Sequence, residues 1–288
     1  MNLHSGKFWI QRAHEYVSML WIPHIETAYV RVLTRLDERP RNQAALDLER
    51  SFMCRSTLGF RIEDVGFYFA GHFYQLMPKL YGERYCRFIE RAFFDDQGVI
   101  DTSYRVFLYD LYREPTENHR LRMNVEYAFD VSRLESLLEK MRILLEDFRR
   151  RGRYLNYPRV HIRFAPKSDQ TLIGLNAGRD TAYVGIYVLG SVWHTLQIPI
   201  AEAIEELFVE HRGRPHWGKY RYLQSQSYKE TYHHLDTCEQ VRCGLDPVGM
   251  FSDKNDMFAD LKRLERPPLG AMVRSVFETE EYQPIRLL

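Results

Sequence analysis

The chain has 288 residues, 45% of them hydrophobic, which is ample for a sizeable core in one large domain or two small ones. Its 40 basic and 39 acidic residues leave a net charge of +1, so no global field favours nucleic acid or an anionic membrane. The first residues lack the apolar stretch of a signal peptide, and no run approaches the roughly 20 apolar residues of a membrane span, which predicts a soluble, cytoplasmic protein.

Residues 16–22 and 27–33 read as strands broken at Pro23. Residues 41–55 have helical spacing, with Leu46, Leu48 and Phe52 apolar among charged neighbours. Residues 65–94 read as one or two helices broken near Pro78 and Gly82. The aromatic stripe there (Phe67, Tyr68, Phe69, Phe73, Tyr74) is read as core rather than ligand contact. Residues 104–109 and 122–129 alternate polar and apolar, as strands do. Residues 131–151 form a helix with Ser132 as N-cap and Glu135 three positions on. Its apolar face runs from Leu134 through Met141 to Phe148, and Gly152 ends it. The basic end at 149–153 reads as a solvated terminus favoured by the helix dipole.

Residues 159–164 and 182–189 are strands, and 199–210 is a helix with Pro199 at its start. Residues 219–223 alternate again. Residues 227–243 form a last helix, stopped by Gly244 and Asp246-Pro247, on which Cys238 and Cys243 pack as small apolar residues. The part after Lys262 holds Pro267-Pro268 and reads as a surface-hugging extension. The division is therefore a domain over 1–262 and an extension over 263–288. The strands are too amphipathic for a parallel sheet buried on both faces. The fold class expected is α+β, a large antiparallel sheet with helices packed on one face.

The four cysteines (Cys54, Cys86, Cys238, Cys243) contain no Cys-x-x-Cys pair and no disulfide framework, as suits a reducing compartment. His211, His216, His233 and His234 have no ligand spacing that suggests a metal. No serine nucleophile elbow is visible. The most telling segment is Gly213-Arg214-Pro215-His216-Trp217-Gly218-Lys219. It sets two cations, an imidazole and an indole between glycines at a helix-to-strand corner, where a chain can aim several side chains at one point. Read on its own chemistry, this corner is either a site or a structural turn.

The string RPHWGK, residues 214–219, resembles the signature near the C-terminus of the aldonolactone oxidase and alditol oxidase group, flavoproteins of the vanillyl-alcohol-oxidase type. Four further strings follow the order of that family. Leu20-Trp21-Ile22-Pro23-His24 resembles its "WFPH", Asn124-Val125-Glu126-Tyr127 its "EMEY", His161-Ile162-Arg163 its Glu-Ile-Arg, and residues 245–251 (LDPVGMF) its closing "LDPxGxF" turn. The resemblance runs from about Tyr16 to Asp253. It implies a substrate, or cap, domain on a large antiparallel sheet, FAD as cofactor, and oxidation of a CH–OH group on a polar, sugar-like substrate.

The resemblance also implies roles. Lys219, Arg163 and His161 would be catalytic, with Lys219 and Arg163 on neighbouring strands facing the flavin. Cations there would stabilise the anionic reduced ring. Lys219, His216 and Arg214 would contact the cofactor, and Gly185 and Tyr187 the substrate. Each residue has a plainer reading. Lys219 is otherwise a solvated strand-end lysine, and Arg163 a sheet-face salt bridge to Glu126 or Asp169. His161 is otherwise a satisfied structural histidine, and His216 and Trp217 fix the corner by packing and hydrogen bonding.

Two departures bear on specificity. His161 stands where the family has a glutamate; it can exchange a proton near neutral pH but carries no fixed negative charge. Gly185 and Tyr187 stand where alditol oxidases carry His and Thr. The sequence also has no Gly-rich phosphate-cradling loop. The expectation is therefore a substrate domain whose flavin-binding domain is a separate chain, lost, or trimmed away. The alternative is a non-catalytic binding or scaffolding module that keeps the fold without flavin. As a partner of a flavin-binding chain, the protein would be a heteromer. A broad apolar interface would be bordered by residues 21–24 and 214–219.

Overall fold

The computed structural model describes residues 16–33, 78–93, 122–189, 194–221, 231–232 and 234–245. In chain order the elements are β1 (Tyr16–Ile22), β2 (Thr27–Leu33), α1 (Pro78–Phe93), β3 (Arg122–Asp130), α2 (Leu134–Arg150), β4 (Val160–Ala165), β5 (Thr181–Leu189), α3 (His194–Glu210), β6 (Arg214–Pro215) and α4 (Leu235–Leu245). Six strands form one sheet in the order β2-β1-β4-β5-β3-β6, and every pairing is antiparallel. The fold is α+β, as the amphipathic strands predict.

The period of two along the strands sorts the sheet into two chemically different faces. On β5, Ala182, Val184, Ile186 and Val188 are wholly buried, while Tyr183, Gly185 and Tyr187 point the other way. Val125, Tyr127 and Phe129 of β3, and Val160 and Ile162 of β4, join the first set. This apolar face is covered by α2, through Leu137, Met141 and Leu145, and by α3, through Ile200, Ile204 and Phe208. Each such side chain contributes about 1.5–3 kcal/mol on full burial. A polar pair joins β3 to α3 across the core: the Tyr127 hydroxyl donates to Glu205 Oε1 at 2.5 Å. The opposite face carries Asn124 and Glu126 of β3, His161 and Arg163 of β4, and Gly185 of β5.

Element ends differ from expectation in instructive ways. Ser132 does not cap α2. A 3-10 turn over Val131–Arg133 precedes the helix and is capped by Asp130, whose Oδ1 accepts from Ser132 N–H at 2.9 Å and Ser132 Oγ at 2.6 Å, while Arg133 holds the N-cap position of α2 itself without a side-chain cap bond. Gly152 ends α2 as expected, at φ 72°, with Arg153 N–H donating to Phe148 O at 2.9 Å. The arginines at this end pair with Glu146 and Asp147 in solvent, the solvated terminus foreseen. Gly82 does not break α1. A Cβ there would lie 2.5 Å from the Tyr154 ring, so the glycine serves close packing rather than termination.

Pro199 is not at the start of α3, which begins at His194, and Gly244 lies inside α4 rather than stopping it. The strand expected over 219–223 does not form at its start, since Lys219 is in a turn and Tyr220 and Arg221 are irregular. Cys86 is a buried free thiol, pushed up to about 12 by burial, and Cys238 is half-buried. The elements expected at 41–55 and 104–109, the aromatic stripe at 67–74, residues 246–251 of the closing turn and the extension over 263–288 lie outside the described residues. So do Cys54 and His233. Among the described residues no helix is long and apolar enough to cross a membrane.

The turn after β1 holds a half-buried titrating group. His24 Nε2 accepts from Leu155 N–H at 3.2 Å, and its ring meets Tyr154 edge-on at 5.0 Å. Burial first, and the Arg149 charge next, lower its pKa from 6.5 to about 4, against the opposing pull of Glu146. The folded state therefore keeps a neutral imidazole where the unfolded chain takes up a proton. Stability is full above the unfolded value and should fall as pH drops from 6.5 towards about 4. His24→Gln keeps an acceptor without titrating and should flatten this part of the profile in denaturant titrations. An unchanged slope in the variant would rule the assignment out.

Candidate functional site

The corner that delivers the 213–219 segment is built at the end of α3. Arg212 adopts φ 54° and its N–H donates to Val209 O at 2.9 Å, while Gly213 N–H donates to Phe208 O at 2.9 Å. This paired cap turns the chain back over the sheet. A Cβ on Gly213 would fall 2.6 Å from the Phe129 ring and 2.9 Å from Phe208 O, so only glycine lets the chain pass so close. The segment then runs along β3. Arg214 and Pro215 pair with Ala128 and Tyr127, His216 N–H donates to Glu126 O at 2.9 Å, and Tyr220 N–H donates to Asn124 O at 2.9 Å. Between these anchors a turn closes through Lys219 N–H to His216 O at 3.1 Å.

The face opposite α2 and α3 is aligned by register. Glu126 of β3, Gly185 of β5 and His161 of β4 form one row across three strands. Ala128, Tyr183 and Arg163 form the next row. Arg163 Nη2 donates to both oxygens of Glu126 at 2.7 Å, a diagonal pair with Glu126 only 4% exposed. Of the two sheet-face partners foreseen for Arg163, the structure selects Glu126; Asp169 pairs with Lys167. Burial is the largest single influence and opposes the Arg163 charge, but Glu126, with Tyr16 and Tyr187 adding to it, raises the guanidinium above its usual value. The same guanidinium lies 5.6 Å from the centre of the Tyr183 ring.

His216 completes the cluster. Its Nδ1 accepts from Gly218 N–H at 3.1 Å. Burial lowers its pKa most; Glu126 pulls it up, and the charges of Lys219 and Arg163 push it down again. The ring therefore sits within the combined field of Glu126, Lys219 and Arg163, and a neutral imidazole is favoured. Among the described residues no carboxylate pairs with the half-buried Lys219.

The structure thus brings together Arg163, His161, Gly185, His216 and Lys219 around Glu126. It does not put Lys219 and Arg163 on neighbouring strands, because β5 and β3 lie between β4 and the segment carrying Lys219. It also takes Arg214 elsewhere. Arg214 is 3% exposed, with Nε on Thr231 O at 2.8 Å and Nη1 on Ala177 O at 2.7 Å and Leu175 O at 3.2 Å. It stacks on Tyr232 at 5.0 Å. Trp217 likewise packs, 5.1 Å from Tyr232 and with Nε1 donating to Ile173 O at 3.4 Å. Tyr187 meets Tyr157 edge-on at 5.7 Å and lies under Arg159.

Sequence reasoning undervalued two residues. Glu126 enters it as part of a string and as an ion-pair partner, and Asn124 only as part of that string. Alternation along 122–129 places both on the face of His161 and Arg163, so aligning the strands would have found them.

The family model for D-arabinono-1,4-lactone oxidase matches residues 6–259. Two curated relatives are each called L-gulono-1,4-lactone dehydrogenase, from Mycobacterium tuberculosis strains CDC 1551 / Oshkosh and ATCC 25618 / H37Rv. Each is 28% identical over 153 residues, which is 53% of this chain and 32% of the relative. The match therefore spans about a third of the length of these relatives.

Proposed function

The chain belongs to the D-arabinono-1,4-lactone oxidase family, and from that premise we propose that it is the substrate domain of an FAD-dependent oxidoreductase. The reaction would oxidise a CH–OH group of a polar, sugar-like lactone or related polyol, with the FAD-binding domain on another chain. The observation that carries this reading is the convergence of the Glu126–Arg163 pair with His216 and Lys219 on the sheet face opposite the helices.

The donors at this corner fit the edge of a flavin ring rather than a diphosphate. Lys219 and His216 can address an electron-rich edge, while Arg214 is committed to backbone carbonyls. The dinucleotide would then be held by the partner. When bound, the flavin supplies a hydride acceptor for the carbinol carbon. Lys219, which pairs with no described carboxylate, would place its positive charge beside that acceptor. Arg163, fixed by Glu126, would orient the substrate oxygen, and His161 would take the hydroxyl proton as the carbonyl forms. Gly185 and Tyr187 would shape the floor and wall against which the substrate lies. A cytoplasmic location belongs to the same proposal, in keeping with the free thiol of Cys86.

A second reading, the non-catalytic binding module, is favoured by one observation: Glu126 already engages Arg163 through both oxygens. Co-expression with a flavin-binding chain encoded beside it separates the two. The enzyme reading expects a coloured complex whose oxidised-flavin band bleaches when L-gulono-1,4-lactone or D-arabinono-1,4-lactone is added without oxygen. A coloured complex that no lactone or alditol bleaches would select the module. A colourless monomer with no affinity for a flavoprotein would remove the enzyme reading altogether.

A further inference from the structure

The row Glu126–Gly185–His161 has a gap at its centre. Gly185 has no side chain, and a Cβ built there would lie 3.3 Å from Glu126 Oε2 and 3.5 Å from Asn124 Oδ1. These two oxygens, from one strand, flank the space that the glycine leaves. Asn124 Oδ1 is buried and, among the described residues, has no hydrogen-bond partner. A buried carbonyl oxygen left without a donor is destabilising, so its retention in a folded strand calls for a ligand that supplies one. Glu126 Oε2 already accepts from Arg163 at 2.7 Å, but a carboxylate oxygen has a second lone-pair direction.

We propose that Asn124 and Glu126 are the hydroxyl-recognition pair of this protein, taking the hydroxyl hydrogens of an uncharged polyhydroxylated ligand in the gap above Gly185. The inference rests on the substrate-domain reading and deepens it by naming residues that choose the ligand. Charge decides the ligand class. Glu126 is neutralised by Arg163, so the gap carries no net negative charge to hold an ammonium group, and Lys219 and Arg163 lie within the same field. An anion would meet two acceptor oxygens, with the Arg163 donor beside them already shared with Glu126. A neutral hydroxyl meets neither penalty, since it donates to Asn124 Oδ1 or Glu126 Oε2 and leaves its own oxygen free to accept from Arg163. Two acceptors on one side of the gap suit adjacent hydroxyls better than a lone one.

The test is a ligand-observed NMR titration of the full chain with L-gulono-1,4-lactone and with γ-butyrolactone, the hydroxyl-free ring. Wild-type protein should bind the first and discriminate against the second. Asn124→Leu, close in volume but without the acceptor, should weaken the polyhydroxylated lactone by about tenfold or more and leave the hydroxyl-free one unchanged. Gly185→Ala, which puts a methyl group between the two oxygens, should weaken the first lactone in the same way. It also keeps the test open if Asn124→Leu does not fold. If both folded variants bind L-gulono-1,4-lactone as wild type does, the hydroxyl-recognition pair is wrong while the substrate-domain reading stands. Equal weakening of both ligands overturns the recognition role too, because it marks a structural effect. If wild-type protein binds neither L-gulono-1,4-lactone, D-arabinono-1,4-lactone nor an alditol, the reading beneath the inference fails with it.

Discussion

Lys219→Ala should reduce substrate-driven flavin bleaching in the assembled complex by about 100-fold or more, the usual effect of removing one preorganised charge from a reacting centre. The complex itself should still assemble. Lys219 is half-buried in a turn held by backbone bonds, its N–H on His216 O at 3.1 Å, and no described carboxylate is stranded by its loss. A single cation at the border of a broad interface contributes little to holding it together. The His216 ring supplies an independent readout. The Lys219 charge depresses its pKa, so the variant should titrate His216 at a higher pH than wild type by NMR. Turnover within threefold of wild type would remove Lys219 from the chemistry, whatever the resemblance of its motif.

Arg214→Ala should act on stability instead, lowering it by about 3 kcal/mol or more, or roughly 10 °C in melting temperature. The guanidinium gathers Thr231 O, Ala177 O and Leu175 O and covers the Tyr232 ring. Its loss leaves several buried carbonyls without donors and unpins the 174–177 loop from the corner. Arg214→Lys should rescue little, because one ammonium cannot reach carbonyls lying on two sides of a planar fork. Flavin bleaching per folded molecule should stay near wild type at low temperature. A stable Arg214→Ala protein that has lost flavin contact would reverse the assignment and return Arg214 to the cofactor set.

The contrast between these two residues shows where the sequence is legible. Strand alternation is a local signal, so β1, β2, β3, β4 and β5 fall within about one residue of expectation, and the α+β class follows from it. Breakers misled because their reason is tertiary. Gly82 is small for the sake of Tyr154, and Pro199 is accommodated inside a helix whose first turn lies upstream of it. The RPHWGK string marks the right corner but not the split of labour within it. Whether a cation faces a ligand or a backbone carbonyl depends on partners such as Gly174 to Ala177, far from it in sequence. The Glu126–Arg163 pair and the gap at Gly185 are products of register, which becomes visible only once β3, β5 and β4 are laid side by side.

The pairing of β1 with β4 has a consequence for synthesis. β1 and β2 form a local hairpin, yet the second edge of β1 meets its partner only when Val160 to Arg163 arrive, some 145 residues after Ser18. At about 5–20 residues per second on a ribosome, that is roughly 7–30 s during which the Met19 and Trp21 edge has no native neighbour. β2 alternates exposed and half-buried residues, with Val30 and Val32 each 37% exposed, and gives the waiting hairpin little cover of its own. The nascent chain therefore passes through a stage in which an apolar hairpin edge can be captured by another chain or by a chaperone.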